Sequence, residues 1–162
     1  MPSPTLTLLA TAVLHVPKAP ERVLEVECGD GERTMFLARE FPTARVRGVD
    51  GSEEAIRKLV AETGLDPEGR LAFKRGKRRS LPFPDEQFDL VVQVGGPVFL
   101  REISRVLRPT GHLLYAQSAS RWFSPRTDPR RLRRSFERHG FETVEIDETP
   151  DGSFYLGCLT GS

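Results

Sequence analysis

RVLEVECGDG, residues 22–31, sets a short β-branched strand against a glycine turn, and RVRGVD, residues 45–50, ends the next apolar run on a carboxylate. A strand closing on glycines, then a helix, then an acid about 20 residues further on is the layout of a nucleotide-binding βαβ unit. The chemistry asks for these residue types. Glycine lets the backbone turn sharply and approach a ligand closely, and an acid at the end of the second strand accepts hydrogen bonds from a ribose diol. A dinucleotide dehydrogenase fits less well, since its G-x-G-x-x-G would need glycine where Thr34 stands.

Outward from this unit, strand and helix signals alternate. Before it, residues 4–14 carry a partial apolar stripe (Leu6, Leu9, Val13, Leu14) that predicts a short helix, broken by Pro17 and Pro20. Arg22–Val26 reads as the first strand, and Glu32–Phe41 as a helix buried through Leu37, Ala38 and Phe41 and ended by Pro42. Arg45–Val49 is the second strand. Ser52 is a natural N-cap for a helix presenting Ala55, Ile56, Leu59 and Val60. Arg70–Lys74 predicts a third strand. FDLVVQ, from Phe88, is apolar enough for a central strand buried on both faces. Residues 98–107 suit a helix stopped by Pro109, HLLYAQ from His112 a fifth strand, and Pro129–His139 a helix ended by Gly140. The final FETVEID and SFYLGCL flank a Pro-Asp-Gly turn and read as an antiparallel hairpin.

A chain of 162 residues is enough for one domain burying roughly 70% of the surface its unfolded form exposes. No repeat or linker divides it. The expectation is a single domain over residues 1–162, with a helical segment over 1–20 and an α/β core over 21–162. The net charge of +1 argues against a protein that binds polyanions with its whole surface. The charge is uneven, however: residues 71–139 hold 15 basic against 6 acidic side chains. One basic group is Lys74, Arg75, Lys77, Arg78 and Arg79. The other is Arg121, Arg126, Arg130, Arg131, Arg133, Arg134 and Arg138. They form a solvated face, or attract RNA or an anionic substrate if both flank one pocket mouth. Trp122 and Phe123, beside the second group, serve as base-stacking platforms or as core or oligomer contacts.

Cys28 and Cys158 lack CxxC spacing and a nearby His cluster, so neither a disulfide framework nor a zinc or other metal site is expected, and a reducing cytoplasm is the simplest setting. The apolar run LTLLATAVLHV lacks a basic flank and is interrupted by threonines, so it is not read as a secretory leader. No stretch nears the ~18 apolar residues of a membrane span.

The run from Arg22 to Leu159 resembles the class I S-adenosylmethionine-dependent methyltransferases. The matching stretches are VLEVECGDG, VRGVDGSEEAI, LPFPDEQFDLVV, LREISRVLRPTGHLL and the final GFETVEI with its hairpin strand. The resemblance implies an α/β fold with a Rossmann-like sheet of seven strands, mostly parallel, with a C-terminal antiparallel hairpin and helices on both faces. It implies S-adenosylmethionine as cofactor, S-adenosylhomocysteine as product, and a small-molecule acceptor. Glu25 falls at the family's first acidic position, near the methionine part. Gly29 and Gly31 match the loop glycines, and Cys28, just before them, takes a packing role where the family has small residues. Asp50 matches the ribose-binding acid, Gly51 and Ser52 lie beside the adenine, and Gln93 ends the strand nearest the chemistry.

Two departures stand out. Glu27 replaces a loop glycine; it bonds the cofactor's ammonium, blocks the site, or reaches solvent and pairs with Arg78 or Arg79. Lys77 stands where the family commonly has an Asp accepting from the adenine amino group, and an ammonium has no acceptor capacity. The alternative implied is a catalytically degenerate, methyltransferase-like binding or scaffold protein, with affinity for nucleic acid through the basic face. No catalytic residue is named by the sequence; His15, near a possible lid, is the one base candidate. A shallow pocket without its own lid also suggests a homodimer.

Overall fold

The computed structural model describes residues 2–64, 69–119 and 125–160. In chain order the elements are α1 (Pro4–Val13), β1 (Arg22–Val26), α2 (Glu32–Glu40), β2 (Arg45–Asp50), α3 (Glu53–Thr63), β3 (Leu71–Arg75), β4 (Phe88–Val94), α4 (Leu100–Val106), β5 (Leu107–Ser118), α5 (Pro129–Arg138), β6 (Phe141–Thr149) and β7 (Gly152–Leu159). The strands form one sheet in the order β3-β2-β1-β4-β5-β7-β6. The first five run parallel, and β7 is antiparallel to both β5 and β6.

Local chemistry explains most helix starts. Ser3 accepts from the Leu6 N–H at 3.2 Å, Ser52 from Ala55 at 3.1 Å, and Asp128 from Arg130 at 3.0 Å. Pro4 and Pro129 follow two of these caps, where a missing N–H costs nothing. The sheet is buried on both sides because its central strands carry apolar side chains on both faces. Leu90 and Val92 of β4 face a layer with Leu8, Leu9, Leu37 and Phe154, and Val91 faces another with Ile103, Phe136 and Tyr155.

Some boundaries differ from the sequence expectation. The third strand is displaced by one residue, to Leu71–Arg75. The helix expected over 98–107 spans Leu100–Val106, so Pro109 does not stop it; the backbone has already turned extended at Leu107 and enters β5. Strand β5 therefore begins well before His112, with an irregular register opposite Phe88–Leu90.

Arg105 of α4 fastens the long β3–β4 connection. Its guanidinium donates to the carbonyls of Leu81 (3.0 Å) and Phe83 (2.8 Å), to Asp85 (2.9 Å) and to Glu102 (2.9 Å). Glu102 in turn accepts from the Leu81 N–H at 2.7 Å. This network fixes where the preceding residues, Lys77–Ser80, emerge at the carboxyl edge of the sheet.

Candidate functional site

The crossover between β1 and β4 opens a crevice at the carboxyl ends of the parallel strands, the place where open α/β sheets bind ligands. Three loops meet there: Glu27–Gly31 after β1, Gly51–Ser52 after β2, and Gly95–Pro97 after β4. Glu27, Gly29 and Gly31 all have positive φ, at 61°, 54° and 79°. Glu27 thus keeps the left-handed backbone that a glycine would adopt, at a cost of roughly 1–2 kcal/mol. The loop keeps its shape and gains a carboxylate.

Asp50 ties the first two loops together. One of its carboxylate oxygens accepts from the Gly29 N–H (3.0 Å), the other from the Ser52 N–H (2.9 Å). An ionised carboxylate has about four acceptor positions, so roughly two remain for a vicinal diol. Around it the backbone is bare. A Cβ on Gly29 would meet nothing within 4 Å, and one on Gly51 would meet only the Gly76 carbonyl at 3.9 Å. Gly76 is held against β2 by its N–H bond to the Asp50 carbonyl (2.9 Å), which brings Lys77 beside the same acid. The Lys77 side chain is exposed, and its backbone forms a bridge with Ser80. Gly31 differs from Gly29: a Cβ there would lie 2.6 Å from Leu59 and 3.2 Å from Phe73, so its role is packing. Cys28 belongs to the same layer. It is fully buried, its N–H bonds the Val49 carbonyl at 3.0 Å, and burial pushes its thiol up to about 12.

Glu25 is turned inward. Its side chain is completely buried, accepting from Thr34 Oγ1 at 2.6 Å and from Arg33 Nε at 2.7 Å. Gly48 on the neighbouring strand makes this possible, because a Cβ there would sit 2.9 Å from Thr34 Oγ1. Burial pushes the Glu25 carboxyl above its usual value, while the Arg33 charge and both hydrogen bonds pull it back. Arg33 also donates to the Glu27 carbonyl at 2.9 Å. Glu25 therefore braces the loop from beneath, and Arg33, in the first turn of α2, is a site residue that the sequence reading missed. Its position two residues past Gly31 was the available signal.

Gln93 is likewise not presented to the crevice. It is fully buried, and its amide nitrogen donates to the carbonyls of Gly95 and Pro97, both at 2.9 Å. The reversal at Gly95–Gly96 folds the loop back over the side chain, so Gln93 shapes that loop. Glu27 pairs with Arg78 at 3.9 Å, whereas Arg79 lies over the Phe99 ring at 5.0 Å. Beside the crevice is a cavity of about 310 Å³ above the ends of β4 and β5, lined among others by Thr5, Arg33, Gly95, Gly96, Ser118 and Thr127.

His15 does not reach this region. It lies 3.6 Å from Glu145 of β6 and packs on the Phe154 ring. The arginines of α5 sit over β6 and β7, at the opposite edge of the sheet from β3 with Lys74 and Arg75. Arg130 pairs with Asp128 and Glu148, Arg133 with Glu137, and Arg75 with Glu53. Arg121, Trp122 and Phe123 lie outside the described residues. No helix among the described residues is long and apolar enough to cross a membrane.

Residues 23–111, more than half of the chain, match the family model described as a methyltransferase domain. The chain belongs to that family. Curated relatives of this methyltransferase domain include a fatty-acid O-methyltransferase of Mycolicibacterium smegmatis, 38% identical over 112 residues that cover 65% of this chain and 40% of that protein. Phthiotriol/phenolphthiotriol dimycocerosates methyltransferase 1 of Mycobacterium ulcerans is 39% identical over 108 residues, 62% of this chain and 39% of that one. The matched part is thus about two-fifths of the length of these relatives. Among solved structures, a SAM-dependent methyltransferase from Aquifex aeolicus superposes with a TM-score of 0.78 at 19% identity, covering 99% of this chain and 94% of that one. At that identity the match establishes the fold, a Rossmann-like methyltransferase sheet with a terminal antiparallel hairpin.

Proposed function

We propose that this methyltransferase domain binds S-adenosylmethionine in the crevice between β1, β2 and β4 and methylates a small, lipid-like acceptor, with S-adenosylhomocysteine as product. The observation that carries the reading is Asp50. Its carboxylate is anchored by two backbone N–H groups, keeps acceptor capacity for a diol, and borders bare backbone at Gly29 and Gly51. When bound, the cofactor supplies a methyl group on a sulfonium. The protein's contribution is placement. Asp50 orients the sugar, Gly29 permits close approach, Gly51 and Gly76 bound a flat slot for the base, and the Glu25–Thr34–Arg33 cluster stiffens the loop. Holding two reactants in line accounts for much of the acceleration in such a displacement, so an acid–base pair is not required.

The cavity of about 310 Å³ adjoining the crevice is our acceptor site. The named substrates of the relatives support a small lipid-like molecule there. Two free cysteines, one fully buried, fit work in a reducing cytoplasm. We take residues 1–162 as one folding unit, since α1 buries Leu8 and Leu9 in the same core as β4 and β7. A catalytically degenerate binding protein is the second reading, favoured by the carboxylate of Glu27 and the ammonium of Lys77 at the crevice. Calorimetric titration with S-adenosylmethionine and S-adenosylhomocysteine tests the first. The expected result is micromolar binding of both, weakened at least tenfold by Asp50→Asn, and methyl transfer to a member of a fatty-acid panel detected by mass spectrometry. Failure to bind either ligand up to millimolar concentration overturns it. Binding without transfer to any acceptor favours the second reading.

A further inference from the structure

We infer that Glu27 and Arg78 together read the zwitterionic amino-acid head of the cofactor, Glu27 taking its ammonium and Arg78 its carboxylate. This rests on the cofactor reading of the crevice and adds a recognition pair built from residues particular to this chain.

The pair stands at the β1–β4 crossover. Glu27 follows the last residue of β1, and Arg78 reaches in from the β3–β4 connection. A Cβ on Gly96, after β4, would lie 2.9 Å from Arg78 Nη1, so the absence of a side chain at 96 is what admits the guanidinium. The two charges face each other across 3.9 Å, beyond hydrogen-bond length. Their side chains are 35% and 31% exposed. Among the described residues neither charged group has a hydrogen-bond partner, in contrast to Glu25, Asp50 and Arg33. The Glu25 carboxylate is taken by Thr34 and Arg33, and Asp50 is bonded by Gly29 and Ser52. Arg33 is committed to Glu25 and to the Glu27 carbonyl. Glu27 and Arg78 are thus spaced so that a zwitterion entering between them exchanges one loose ion pair for two direct, charge-assisted contacts. Burial raises the Glu27 carboxyl above its ordinary value, the Arg78 charge pulls it back, and Asp50 adds a smaller upward push.

The test uses two probes that share the nucleoside thioether and differ in the head. S-adenosylhomocysteine carries the amino acid, and 5′-methylthioadenosine lacks it. Both are titrated calorimetrically into the wild type, Arg78→Ala and Glu27→Gln, with thermal unfolding confirming that each variant is folded. Charge-assisted hydrogen bonds correspond to a loss of about ten- to a hundredfold. Each substitution is therefore expected to weaken S-adenosylhomocysteine by that factor while methylthioadenosine changes less than about twofold. An unchanged affinity ratio between the two probes in both variants overturns the proposal and leaves the cofactor reading intact. Tighter binding of both probes by Arg78→Ala also overturns it, identifying the arginine as an obstruction. If the wild type and both variants bind neither probe, the cofactor reading itself fails and the pair goes with it.

Discussion

Replacing Gly29 and Gly31 by alanine separates the ligand-facing part of the loop from its packing part. Both residues have positive φ, so alanine at either position costs about 1–2 kcal/mol of backbone strain. At Gly29 that is the whole cost, since the new methyl projects into open space. At Gly31 the methyl would lie 2.6 Å from Leu59 Cδ2 and 3.2 Å from Phe73, adding about 1–3 kcal/mol of overpacking. The expected destabilisation is about 1–2 kcal/mol for Gly29→Ala and about 2–5 kcal/mol for Gly31→Ala. With a urea slope of about 2 kcal/mol/M, the Gly31 variant should unfold roughly 1 M earlier than the Gly29 variant. Ligand affinity should follow the other order. Gly29→Ala places its methyl beside Asp50, where the sugar would lie, and should lose S-adenosylhomocysteine binding while staying folded. Equal midpoints for the two variants would refute the packing geometry at Gly31. Wild-type affinity in Gly29→Ala would refute the placement of the ligand over that residue.

Three further outcomes are expected. Arg33→Met leaves the buried Glu25 carboxylate without its counter-charge and should cost about 3 kcal/mol at pH 8, the lower end for such a pair because Arg33 keeps some solvent. With Arg33 gone the Glu25 pKa rises further above its unfolded value, so the deficit should shrink as the pH falls towards that value; urea melts at pH 5 and 8 check the sign. At pH 8 an alkylating reagent should modify Cys158, which is partly exposed, and spare Cys28 until the protein is denatured, as read by peptide mass spectrometry. Hydrogen bonds from Arg105, then from the Leu81 N–H, hold the Glu102 carboxyl below its ordinary value of 4.5 despite some burial. The stability it confers is present above that pH and lost as pH falls below it, and Glu102→Gln should flatten that part of the acid-unfolding curve.

What was readable in advance was whatever depends on neighbours in sequence. Ser52 caps its helix through a bond three residues away, the apolar run of β4 marks a doubly covered strand, and the Asp-Gly turn marks the hairpin. The placement of Asp50 follows from the same local logic, because a strand-end acid lies at the sheet's edge wherever the strand goes. The orientation of Glu25 was not readable. It depends on Gly48 of the adjacent strand leaving room for Thr34, a contact across β1, β2 and α2. The burial of Gln93 was not readable for a similar reason, since the reversal at Gly95–Gly96 decides which way its amide turns. His15 looked like a pocket residue because helix periodicity does not say which strands a helix will cover; α1 runs across β5 and β7 and carries His15 to Glu145.

That placement of α1 has a consequence for how the chain is made. Leu8 and Leu9 share a core with Leu114 and Ala116 of β5 and with Phe154 and Leu156 of β7, so α1 leaves the ribosome long before β7 completes the surface it packs on. About 140 residues separate the two, on the order of ten to thirty seconds of synthesis. Throughout that interval an apolar helix waits beside a sheet that lacks its β7 and β6 strands. The protein is therefore committed to completing its core after translation of the hairpin, and it is most vulnerable to aggregation and to chaperone capture while the hairpin is still inside the ribosome.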